Sequence, residues 1–146
     1  MATAPKPPTI QPDPALAATL NPLLATEWGL IRALRALGAE ATEDGLRQCL
    51  KRLRTDSIAH AANLARLIRE LDGHPTDVPS QLGEEVKKLG SFNEKISSFQ
   101  AAHAAQKIAL NAVAEKISQP AAREALEIMA LLHGENVLWL NTILAK

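Results

Sequence analysis

The stretch LRQCLKRLRTDSIAHAANLARLIREL, residues 46–71, decides how this chain folds. Leu46, Leu50, Leu53, Ser57, His60, Leu64, Leu67 and Leu71 follow one another at steps of 4, 3, 4, 3, 4, 3 and 4 residues. That spacing is the stripe of a long amphipathic helix packed in a bundle. Six of the eight positions are leucine, and the two in the middle are polar. A helix of this kind needs neighbours to cover its stripe, and a buried polar group left without a partner costs about 1–3 kcal/mol. Whatever meets Ser57 and His60 therefore bears on what the protein does.

Outward from this helix, the same pattern recurs three times. Towards the N-terminus, Asp13-Pro14 is a helix start, and the seam Leu16, Leu20, Leu23, Glu27, Leu30, Leu34, Leu37 runs to Gly38. Asn21-Pro22 within it predicts either a kink or a short preceding helix. Thr42 is the expected cap of the second helix, which runs to Asp72 with Gly73 as its stop and Pro75 beyond. A longer connection follows, His74 to Gly90, with room for one short helix from Ser80 to Leu89; His74 reads as a solvated loop residue. Ser91 and Glu94 form a capping box for a third long helix, with seam Phe92, Ile96, Phe99, His103, Gln106, Leu110, Val113, Ile117. Pro120 opens a fourth, with seam Ala122, Leu126, Met129, His133, Asn136, Leu140, Ile143. The expected fold is all-α, an up-down-up-down antiparallel four-helix bundle over residues 14–146. A Pro-rich, disordered leader occupies residues 1–13.

The polar positions coincide. Glu27, Ser57, His103 and His133 each lie eleven residues past the first seam residue of their helix. His60, Gln106 and Asn136 lie one step further on. Antiparallel packing brings these heights together at mid-bundle, so the four helices turn polar at one level. Three imidazoles (His60, His103, His133) and the Glu27 carboxylate are the donor types of first-row transition ions. A single Zn, Fe, Mn or Ni ion, or a small ligand, is what they would hold, with Ser57, Gln106 and Asn136 as outer hydrogen-bonding partners. One carboxylate is too little negative charge for a dinuclear centre. The competing reading is a hydrogen-bond network that holds nothing. A Ser57–His60 nucleophile pair has contact spacing but no nucleophile elbow or oxyanion loop around it, so no catalytic residue is assigned.

These residues resemble the ferritin-like, rubrerythrin-type superfamily, whose pattern is Glu on the first helix, Glu-x-x-His on the second, Glu on the third and Glu-x-x-His on the fourth. Glu27, in Leu23-Leu24-Ala25-Thr26-Glu27, matches the first ligand, and His60 and His133 match the two histidines. Asp56-Ser57-Ile58-Ala59-His60 and the following Leu64-Ala65-Arg66-Leu67-Ile68-Arg69-Glu70-Leu71 carry the likeness, whose layout spans Leu16 to Ile143. Ser57 and Ala130 stand where the partner glutamates belong, and His103 or Gln106 replaces the glutamate of the third helix. The resemblance implies the bundle fold and a reduced metal set, without iron storage or di-iron oxidation. A non-catalytic scaffold or interaction protein that keeps only the polar layer of a lost di-metal site is the alternative.

Composition narrows the rest. Sixteen basic and sixteen acidic residues cancel, and there are only two Trp, two Phe and no Tyr, which argues against a nucleic-acid surface. The run Arg47, Lys51, Arg52, Arg54 reads as a solvated face. The lone Cys49 fits an inert packed thiol in a reducing compartment, no apolar run is long enough for a membrane span, and the N-terminus lacks a secretion-signal layout; cytoplasmic is the expectation. Ile128, Leu131 and Leu138 form a second stripe on the back of the fourth helix, the expected homodimer surface unless the leader or the long connection covers it.

Overall fold

In the computed structural model, residues 10–144 are described, apart from the side chain of Ile143; residues 1–9 of the expected leader lie outside them. Among the described residues there are five helices: α1 (Pro14–Glu40), α2 (Asp44–Glu70), α3 (Leu82–Lys87), α4 (Phe92–Ala114) and α5 (Pro120–Leu144). No strand occurs among the described residues.

Local chemistry sets the helix ends. The Asp13 carboxylate accepts from the Leu16 amide at 3.1 Å, and Pro14 occupies the first turn, where its missing N–H costs nothing. α1 runs unbroken through Pro22 and Gly38. Pro22 and Ala18 face solvent, so the carbonyl deprived of its donor meets water. Thr42 does not cap α2; Glu43 precedes its first residue and makes no side-chain cap bond. At the other end, Asp72 rather than Gly73 takes the left-handed conformation, at φ 66°. The amides of Asp72 and Gly73 bond to the carbonyls of Arg69 and Ile68 at 2.9 and 2.8 Å, closing a Schellman motif. Gly73 is required by space: a Cβ there would run into Cβ of Ala17. Ser91 caps α4 through the Glu94 amide at 3.1 Å.

The order of the long helices differs from the expected up-down-up-down. Lys95 at the start of α4 pairs with Glu40 at the end of α1 at 2.6 Å, and Gln119 beyond the end of α4 bonds to Gln11 before the start of α1. α4 is therefore antiparallel to α1 and parallel to α2, and the arrangement is up-down-down-up. The reason is the connection between α2 and α4, which climbs back along α1 instead of turning over. Asn21 holds it by bonds to the His74 carbonyl and the Thr76 amide at 3.0 and 2.9 Å. The Trp28 indole donates to the Thr76 carbonyl at 3.1 Å, and the Ser80 amide donates to the Ala25 carbonyl at 2.9 Å. α3 then packs on α1 where Gly83 lies against Arg32. The short helix expected between Ser80 and Leu89 is α3.

Of the leader expected at 1–13, residues 10–13 lie along the bundle: Ile10 packs on the core and the Asp13 amide donates to the Leu71 carbonyl at 3.0 Å. The core is in two parts. One contains Leu20, Leu24, Leu64, Ile68, Leu110 and Leu126; the other contains Leu34, Leu37, Leu50, Leu53, Ile96 and Phe99. Between them lie the buried polar side chains Glu27, Ser57, His60, His103, Gln106 and His133.

Candidate functional site: a buried Glu–His–His layer

Each long helix contributes to this layer because its seam turns polar at mid-length, and all six side chains are at most 3% exposed. His133 of α5 is the hub. Its Nε2 lies 2.5 Å from Glu27 Oε1 of α1, and its Nδ1 lies 3.0 Å from His103 Nε2 of α4. Gln106 Nε2 donates to the Leu23 carbonyl at 2.9 Å and to Glu27 Oε1 at 3.2 Å. His60 of α2 stacks on His133 with ring centres 4.8 Å apart and planes 28° apart; the His103 ring is 4.2 Å from that of His133 and 5.5 Å from that of Phe99.

Hydrogen-bond logic assigns the protons. A carboxylate only accepts, so His133 Nε2 donates to Glu27. A buried N–H without an acceptor is costly, and His103 Nδ1 faces none among the described residues, so the single proton of the His103 ring lies on Nε2 and is donated to the Nδ1 lone pair of His133. His103 Nδ1 is then a bare lone pair, and it has no partner. Burial pushes the His103 imidazole down to about 2, reinforced by the neighbouring His133 and His60, so this ring is neutral near pH 7. Burial also lowers His60; the Glu27 carboxylate opposes that shift, His133 adds to it and Asp56 opposes it.

The structure brings Glu27, His60, His103 and His133 together, but their donor atoms run in series. Glu27 and His103 sit on the two different nitrogens of His133, which diverge from the ring. Among the described residues, no group of three or more His, Cys, Asp or Glu side chains is arranged to hold a metal ion. Among the described residues Ser57 Oγ is buried without a hydrogen-bond partner, His60 included, as are Glu27 Oε2 and His60 Nε2. Asn136 lies outside the network and donates to Asp56 at 3.3 Å.

On the outer side of His60 a cleft of about 520 Å³ separates α2 from α5, walled by Asp56, Met129, Leu132, Glu135 and Asn136. Asp56 is the residue that sequence reasoning passed over. It stands one position before a seam residue, and its pairing with Asn136 depends on the antiparallel approach of α5 to α2. Arg52, expected on a solvated face, lies 5.0 Å over the Trp139 ring at the same approach. Burial raises the Cys49 thiol to about 11, consistent with an inert packed side chain. No helix among the described residues is long and apolar enough to cross a membrane. The chain matches no protein-family model, no curated protein and no solved structure.

Proposed function

We propose that this protein is a non-catalytic scaffold or interaction bundle of ferritin-like layout, whose central layer is a hydrogen-bond network standing where that superfamily keeps its metal ions. One observation carries the reading: both ring nitrogens of His133 are taken, Nε2 by Glu27 and Nδ1 by His103. Ligands of one ion must aim their lone pairs at a shared point about 2.0–2.2 Å away. Donors facing each other at 2.5 Å with a proton between them form a charge-assisted hydrogen bond instead. The single long crossover supports the ferritin-like layout, which has one such connection.

A second reading, one Zn, Fe, Mn or Ni ion at Glu27, His60, His103 and His133, is favoured by a different observation. Glu27 Oε2, His60 Nε2 and His103 Nδ1 are buried without partners, and neutral imidazoles are the form that ligates. Metal analysis of protein purified without chelator or histidine tag separates the two readings, followed by melting with each ion in excess. An ion that binds only the folded state raises stability by about 2.7 kcal/mol at a hundredfold excess over its Kd. The network predicts less than about a tenth of an equivalent of metal and no such rise. Close to one equivalent, with a melting shift abolished by His60→Ala or His133→Ala, would overturn it in favour of the ion.

A further inference from the structure

α4 and α5 leave a shallow groove of about 450 Å³ on the outside of the bundle, with Ala104 and Gly134 in its lining. The large apolar side chains along it are strongly exposed: Ile108 by 70%, Leu131 by 59% and Leu138 by 67%. The long connection does not cover them, since it is bonded to α1 through Asn21, Ala25 and Trp28. Ile128 belongs to the separate cleft between α2 and α5, so the stripe read along the back of α5 divides between two faces.

The groove carries opposite charges on its two helices, Lys107 on α4 and Glu135 on α5, and among the described residues neither forms a salt bridge. The Lys107 side chain lies across Gly134, with Nζ 2.8 Å from where a Cβ would stand, so its ammonium reaches the level of Glu135. We propose that this face binds a second copy of the chain about a two-fold axis running along the groove. Such an axis lays α4 of one copy over α5 of the other. Lys107 then meets Glu135 of the second copy and the reverse pair forms by symmetry, while Ile108 of each copy packs by Leu131 and Leu138 of the other. A partner with a uniform charge would match only one side of the groove; a copy of the chain matches both. The apolar lining covers residues 104–108 of α4 and 131–138 of α5, about 10 Å of helix, and the two helices, about 35 Å long, continue past it to supply a polar rim.

This inference is independent of the polar layer, and sedimentation equilibrium tests it. The wild-type chain should sediment as a concentration-dependent dimer, and Leu131→Glu should sediment as a monomer with unchanged far-UV circular dichroism. Lys107→Glu and Glu135→Lys should each weaken self-association about tenfold, because each substitution turns two attractive pairs into two repulsive ones. An equimolar mixture of the two variants should recover the wild-type Kd, since both cross-pairs are then attractive. A wild-type chain that stays monomeric at about 0.5 mM, a Leu131→Glu variant with undiminished dimerisation, or a mixture no tighter than either variant alone would overturn the proposal.

Discussion

Acid should weaken this fold through His103, and the size of the effect follows from its surroundings. The ring is 2% exposed and its imidazole is held at about 2, against about 6.5 in an unfolded chain. Below pH 6.5 the unfolded state therefore binds a proton that the folded state refuses. The contribution is fully present above pH 6.5 and is lost as pH falls, by about 1.4 kcal/mol per unit, until pH nears the folded value. From well above pH 6.5 down to pH 4.5 that amounts to about 2–3 kcal/mol from this side chain, a large fraction of the 5–15 kcal/mol typical of a domain. The lowered His60 adds a loss of the same sign. His103→Gln retains an N–H that can donate to His133 Nδ1 and removes the titration. Urea unfolding followed by circular dichroism at half-unit pH steps should give a wild-type stability that falls more steeply than that of the variant, the gap widening by about 2–3 kcal/mol by pH 4.5. Parallel curves for the two proteins would refute the reasoning, because His103 would then be taking up its proton in the folded state.

Two further outcomes follow from the packing. Glu27→Leu leaves the buried His133 Nε2–H without its Glu27 acceptor and takes one acceptor from the Gln106 amide, and should lower unfolding stability by about 1–3 kcal/mol, measured by urea denaturation. Gly73→Ala drives a methyl group into Ala17 and Ile68 at the junction of α1 and α2, and should lower stability by about 1–3 kcal/mol with the helix content unchanged.

Much of the fold was legible because each long helix repeats its apolar residues at steps of three and four, and Asp13-Pro14, Ser91 and Pro120 mark helix starts. The direction of the last two helices was not. Up-down-down-up depends on where residues 71–91 run, and that is set by Asn21 and Trp28 bonding to backbone atoms of the connection, contacts without any periodic trace. The gathering of Glu27, His60, His103 and His133 was visible as a shared height along four stripes. Which atom faces which was not, because it follows from helix direction. α1 and α5 run parallel, so Glu27 and His133, at equal distances along their seams, meet directly. Asn136 falls beside Asp56 instead of within the layer, on the side of α5 that lines the cleft towards α2.

His133 bridges Glu27 and His103, and long-range ¹⁵N–¹H correlation spectra of the histidine rings test that bridge directly. The prediction is that both His133 and His103 carry their proton on Nε2 at neutral pH, and that the His103 signals stay those of a neutral ring as the pH is taken down to 5. A proton on His103 Nδ1, or a His103 ring that becomes an imidazolium near pH 6.5, would contradict it.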